Sequence, residues 1–261
     1  METKKMISFV MAYYNRKDLL IKTLDSIKNS DIKNYEIIIV DDGSNDSNRL
    51  EDLLINYNKL KVIRIEPQDK WYSNPCIPLN IGINEVKGDI IILQNPECFH
   101  VNDVMKYVND NINDDNYLTI STYSLDKQTT NTINFYGDVK KQITSLPQIE
   151  SKGSSQNGWF NHPIYRPTYY NFCSAITKKN MDKLNGFDER YANGISFDDN
   201  EFLLRVRRLG LNVLCISEVC VIHQYHPSYF YSNPKLSELH SRNKKLYHDF
   251  SLKENIVKVN I

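Results

Sequence analysis

The chain has 261 residues, 41% hydrophobic and 25% charged, enough for one large or two small folded domains and unlike an intrinsically disordered protein. Lysine plus arginine equals aspartate plus glutamate at 32 each, so no bulk basic field draws nucleic acid. No stretch approaches the ~18 apolar residues of a membrane span. The polar start, Met1 to Met6, has no secretory hydrophobic segment. The five cysteines, Cys76, Cys98, Cys173, Cys215 and Cys220, form no C-x-x-C pair and are expected to be reduced packing residues of a cytoplasmic protein.

Lys5 to Ala12 predicts a first strand, and the recurrence of Leu19, Leu20, Thr23, Leu24 and Ile27 predicts a helix after it. Tyr35 to Val40 predicts a second, buried strand ending on Asp41-Asp42-Gly43-Ser44. A second helix is expected over Asn48 to Tyr57, a third strand over Leu60 to Ile65, and a short helix over Leu79 to Val86. Ile90 to Leu93 is an apolar run without polar alternation, the pattern of a strand covered on both faces. It stops on Gln94-Asn95-Pro96-Glu97, because proline cannot donate to a ladder. The first hundred residues thus alternate strand and helix, the order of a doubly wound parallel sheet. Ligands of such sheets sit beyond the carboxyl ends of the strands, so Ala12, Asp41 and Asn95 are expected on one edge.

Further on, a helix is expected over Val101 to Asn111 and a strand over Tyr117 to Leu125. Residues 126 to 158 form a long polar tract, read as loop with one or two short pieces, and such loops often cover a site. Phe172 to Thr177 predicts a strand, Lys178 to Leu184 and Phe197 to Leu209 helices, and Val213 to Ile222 one or two strands closed by His223, Tyr225 and His226. The charged tail carries a helix over Lys235 to Phe250, a packing or homodimer element.

Asp41/Asp42, Glu97 and Asp198/Asp199 follow buried strands or start a helix. Carboxylates delivered to one rim can converge although distant in sequence. A hard cation such as Mg2+ or Mn2+ takes oxygen ligands, and Mn2+ also accepts an imidazole, so Glu97 with His223 is a candidate metal pair. Asp198-Asp199 also suits the first turn of a helix, where acids favour the dipole. Trp159 and His162, with Tyr165, could stack on a sugar, and Trp159 suits a core equally well.

Residues 7–16, Ile-Ser-Phe-Val-Met-Ala-Tyr-Tyr-Asn-Arg, followed by Ile39-Val40-Asp41-Asp42-Gly43-Ser44-Asn45-Asp46, resemble the start of a family 2 glycosyltransferase. Asn185-Gly186-Phe187-Asp188-Glu189-Arg190 and the segment Phe197 to Arg205 resemble the second half of that family and of the galactosyltransferase-like group. The resemblance covers about residues 5 to 226. It implies a GT-A fold with a Rossmann-like, mostly parallel α/β sheet over residues 1–226. Residues 1–100 would form the nucleotide-binding half, 101–226 the acceptor and catalytic half, and 227–261 a helical extension.

It also implies that Ala12, Tyr14, Asp41, Asp42, Asn80 and Asn95 meet a nucleotide-sugar donor, with UDP preferred. Asn95-Pro96-Glu97 stands where the family has Asp-x-Asp; Glu97 keeps a ligand oxygen, whereas Asn95 is neutral. Asp199, beside Asp198, matches the catalytic base, and His223 a histidine that completes a Mn2+ or Mg2+ site. The implied reaction is inverting transfer of a sugar to a glycan or other hydroxyl acceptor. The weakened Asn95-Pro96-Glu97 motif also fits a catalytically silent nucleotide-sugar binding protein. A nucleotidyltransferase shares the layout, but no Gly-rich, basic loop follows the first strand.

Overall fold

The computed structural model describes residues 5–153, 155–227, 233–253 and 256–259. The first four residues, part of the segment on which the absence of a leader was expected, lie outside the described residues, as do parts of the C-terminal tail.

The amino-terminal half follows the expected alternation. Strand β1 (Ile7–Tyr13) leads into α1 (Lys17–Lys28), then β2 (Tyr35–Asp42), β3 (Leu60–Ile65), α2 (Cys76–Asn84) and β4 (Ile90–Gln94). Side chains alternate across β1: Phe9 and Met11 pack under α1 with Leu20, Leu24 and Ile27, while Val10 joins Ile38 and Ile91 in a second core on the opposite face. Both faces being covered, the strands need no polar alternation. The helix expected over Asn48 to Tyr57 is instead two 3-10 turns, Asp46–Asn48 and Glu51–Ile55. Leu50 and Leu53 are buried there and Tyr57 packs partly against the core, but Leu54 is 43% and Ile55 87% exposed, so the apolar stripe is too narrow to hold an α-helix against the sheet.

The second half supplies β5 (Cys98–His100), α3 (Val104–Asn111), β6 (Asn116–Ser124), the short helices α4 (Lys127–Thr132) and α5 (Val139–Thr144), and β7 (Gly158–Asn161). After these come β8 (Cys173–Thr177), α6 (Lys178–Leu184), α7 (Asp198–Arg208), β9 (Asn212–His223) and α8 (Leu236–Ser251). Among the described residues, nine strands form one sheet in the order β3-β2-β1-β4-β8-β6-β9-β5, with β7 also on β6.

The sheet is mixed, which corrects the expectation of a mostly parallel one. β1–β2, β2–β3, β1–β4 and β6–β9 are parallel, whereas β4–β8, β6–β8, β6–β7 and β5–β9 are antiparallel. The antiparallel pairs come from β5, β7 and β8; at three to five residues each, these are too short for periodicity to reveal their direction. Because β8 reverses β4 and β6 reverses β8, β6 and its parallel neighbour β9 run the same way as β4. The carboxyl ends of β1, β2, β4 and β9 therefore open on one lip. Among the described residues, no helix is long and apolar enough to cross a membrane.

Candidate active site

That lip borders a cleft of about 740 Å3. Of the residues singled out from the sequence, Ala12, Tyr14, Asp42, Asn95, Glu97, Asp198, Asp199 and His223 line it.

At one end stands Asp42, the last residue of β2. The Tyr72 hydroxyl donates to its Oδ1 at 2.6 Å, and Lys70 Nζ pairs with Oδ2 at 2.5 Å. Lys70 also sits 4.9 Å from the centre of the Tyr14 ring, a cation–π distance. Asp41 is turned the other way. It is fully buried, paired with Arg64 at 2.7 Å, and accepts from the Ser44 backbone N–H at 2.9 Å. It fastens the turn after β2 and does not line the cleft, so the two neighbouring carboxylates divide the work. Asn80 is also drawn inward. It bonds the backbone of Phe187 in both directions and Glu189, joining α2 to the segment before α7.

The middle of the cleft holds a cluster of three ligand-type side chains, Glu97, His223 and His226, whose nearest atoms all lie within 4.8 Å of one another. The ladder explains the meeting: Cys98 is in register with His223 between β5 and β9, and the Gln224 side chain and backbone both donate to the Glu97 carbonyl. Glu97 is 1% exposed. Its Oε1 lies 3.0 Å from His223 Nε2 and 3.1 Å from His226 Nε2, and its Oε2 lies 2.8 Å from Arg16. Burial works to raise its pKa, but the Arg16 and His226 charges and the hydrogen bonds from both imidazoles outweigh that and hold the carboxyl well below the usual range. Burial pushes the His223 pKa down, keeping its ring neutral at pH 7.

The donor set suits a divalent ion. His226 Nδ1 is 3.0 Å from the Pro227 carbonyl, which can only accept, so Nδ1 carries a proton there. Its Nε2 faces Glu97 Oε1 at 3.1 Å. Glu97 Oε1 has both imidazole Nε2 atoms within 3.1 Å, so one oxygen and two nitrogens are gathered where a divalent ion, replacing the protons they share, would find its ligands. One carboxylate oxygen with two imidazole nitrogens is compatible with Mn2+.

Across the cleft, α7 begins with Asp198 and Asp199. Ser196 and Phe197 before it have φ of 60° and 69°, a left-handed pair that turns the chain sharply into the helix. Asn74 donates to Asp198 Oδ1 at 2.8 Å. The Asp199 carboxylate has no hydrogen-bond partner among the described residues and faces the cleft. Burial, and then the neighbouring Asp198 charge, push the Asp199 pKa well up; burial also raises that of Asp198.

Trp159 and His162, expected to meet a sugar, do not line the cleft. Trp159 is 8% exposed, packs edge-on against Tyr123 at 5.0 Å, and donates to Gln148. Its neighbour on the alternate face of β7, Phe160, lines the cleft instead, with Tyr170, Arg166 and Lys152. Arg16, Lys70 and Asn74 were not selected from the sequence, and His226 was noted there only as a second imidazole after His223. Only the His223-x-x-His226 spacing carried a signal for one of them; the others are common polar residues until the fold aims them.

Residues 8–184 match the family model described as "Glycosyl transferase family 2". A poly(ribitol-phosphate) beta-N-acetylglucosaminyltransferase, TarP, of Staphylococcus aureus is 28% identical over 128 residues, 47% of this chain and 38% of that protein. The chain spans less than half the length of most curated relatives it matches. The mannosyltransferase PcManGT from Pyrobaculum calidifontis, solved with GDP-Man and Mn2+, aligns with a TM-score of 0.60 at 12% identity, over 98% of this chain and 67% of its own. S. aureus TarS 1–349, solved with UDP-GlcNAc, gives 0.60 at 14% identity, over 94% and 71%. At these identities the likeness establishes the fold, a GT-A-like α/β arrangement.

Proposed function

This chain belongs to glycosyl transferase family 2, and on that premise we propose that it transfers a sugar from a nucleoside-diphosphate donor, UDP-linked by preference, to a hydroxyl of a glycan or related acceptor, with inversion. The observation that carries this reading is the convergence on one cleft of Asp42, the Glu97–His223–His226 cluster and Asp199 from four separate elements. The likeness of residues 185–205 to the galactosyltransferase-like group belongs to the same proposal.

Asp42, steadied by Lys70 and Tyr72, offers oxygens to the ribose or base of the donor, and the Tyr14 ring offers a flat face beside it. UDP as the nucleotide draws support from the UDP-GlcNAc complex of TarS. Glu97, His223 and His226 hold Mn2+ or Mg2+, in keeping with the Mn2+ complex of PcManGT. When bound, the ion supplies positive charge to the diphosphate as it leaves. Asp199 takes the proton of the acceptor hydroxyl as that oxygen attacks the anomeric carbon from the face opposite the diphosphate. Its unpaired carboxylate and raised pKa suit a base, and Asn74 keeps Asp198 apart by engaging one of its oxygens. Phe160 and Tyr170 supply aromatic surface for the acceptor. The free cysteines suit a reducing, cytoplasmic setting.

The deciding experiment incubates the purified protein with Mn2+ and a panel of UDP-sugars and GDP-mannose and follows nucleotide release. Turnover of at least one donor, abolished in Asp199→Asn while UDP still binds, is expected. Binding across the panel with no turnover would replace the transferase reading with that of a silent nucleotide-sugar binding protein.

A further inference from the structure

Arg16 occupies a position that the transfer reaction alone does not explain. Its loop is pinned: Asn15 has φ 49°, its N–H donates to Ser44 Oγ at 3.0 Å, and its side chain accepts from the Asn45 N–H at 2.9 Å. From this anchor the guanidinium reaches over the cleft. Nε donates to the Tyr14 carbonyl at 3.1 Å, while Nη1 lies 2.8 Å from Glu97 Oε2 and 3.2 Å from His226 Nε2. Nη2 has no partner among the described residues. One positive group thus touches two of the three side chains that offer metal-ligand atoms.

A guanidinium and a divalent ion drawn to the same buried carboxylate repel each other strongly where water is scarce. The carboxylate cannot stand alone either, since an unpaired buried charge is costly. A donor diphosphate would bring the negative charge needed to hold both cations, and guanidinium groups bind phosphate oxygens well.

We propose that Arg16 is the resident cation of the Glu97–His226 pair: it neutralises the carboxylate before the donor arrives, weakens the binding of free divalent metal, and shifts to the diphosphate when metal and nucleotide enter together. This rests on the metal reading of the Glu97 cluster.

The test measures Mn2+ binding to the full chain by electron paramagnetic resonance, with and without UDP. The wild-type protein binds Mn2+ weakly alone and tightly with UDP. In Arg16→Gln, affinity for Mn2+ alone rises about tenfold or more and the gain from UDP shrinks. Arg16→Lys, which keeps the charge, stays close to wild type. If Arg16→Gln binds Mn2+ no tighter than wild type, while Glu97→Ala abolishes binding, the resident-cation role is wrong and the metal site stands. If neither wild type nor Arg16→Gln binds Mn2+ even with UDP, the metal reading fails and takes the inference with it. Should Arg16→Gln melt too low for spectroscopy, adding Glu97→Gln restores its melting temperature if the guanidinium serves that carboxylate; failure to restore it overturns the proposal.

Discussion

Glu97 and Asp199 are both acidic side chains at one cleft, yet their surroundings drive them apart. Glu97 is ringed by donors and stays ionised; Asp199 has burial and a like charge beside it, both favouring the neutral form. A base must be ionised to act, so the acid limb of the pH–rate profile is expected above the ordinary aspartate value of about 3.9. Asp198→Asn removes the neighbouring charge and moves that limb down; an unmoved limb would assign it to another group. His100 offers a separate test, of stability. Burial lowers its pKa to about 3, and its Nε2 lies 2.8 Å from Gln94 Oε1. Below pH ~6.5 the unfolded chain takes a proton that the folded chain refuses, so stability falls as pH drops, by up to about 1.4 kcal/mol per unit. His100→Gln keeps a donor for Gln94 and flattens that slope in urea melts between pH 7 and 5.

The short stretch between α6 and α7 depends on a helix distant in sequence. Asn243 of α8, fully buried, donates to the carbonyls of Tyr191 and Ser196, and the Ile195 N–H donates to Leu239. Gly194 leaves room for this contact: a Cβ there would lie 2.1 Å from Asn243 Oδ1. The Phe197 ring rests on His240 and Tyr247 at 5.1 and 5.7 Å. The left-handed pair Ser196–Phe197, which aims Asp198 and Asp199, is therefore held from outside the local sequence. Asn243→Ala strands two carbonyls and is expected to cost about 2–3 kcal/mol, read from chemical denaturation. It should lower kcat more than UDP affinity, since Asp42 and Glu97 stand on other elements. Equal loss of both would show general collapse of the cleft. From the sequence, α8 read only as a charged packing or homodimer helix, because a single asparagine among its polar residues carries no mark of what it touches.

Across the molecule, the side proposed to meet the nucleotide is built on the parallel strands β1 to β4, and the opposite side on the parallel pair β6–β9 with the antiparallel strands β5, β7 and β8. A ligand spanning them stabilises the whole fold by mass action, about 2.7 kcal/mol at a hundred times its Kd. UDP with Mn2+ is expected to raise the melting temperature by several degrees, and Glu97→Ala to remove the part of the shift that needs Mn2+. No shift with UDP or GDP would contradict a nucleotide donor.

Continuous apolar runs such as Ile37 to Val40 and Ile90 to Leu93 were legible as buried strands because burial on both faces leaves only one kind of side chain. Their polar endings, Asp42 and Glu97, were legible as cleft residues because parallel strands deliver their carboxyl ends to one edge. The direction of the short strands, the division between Asp41 and Asp42, and the pairing of Arg16 and His226 with Glu97 were not. Each depends on contacts between residues from 20 to more than 200 positions apart, and no local pattern encodes which way a side chain turns when two neighbours are both acidic. The chain's own order determined the elements and the lip they share. Packing alone decided which polar groups face water, which face a ligand, and which face each other.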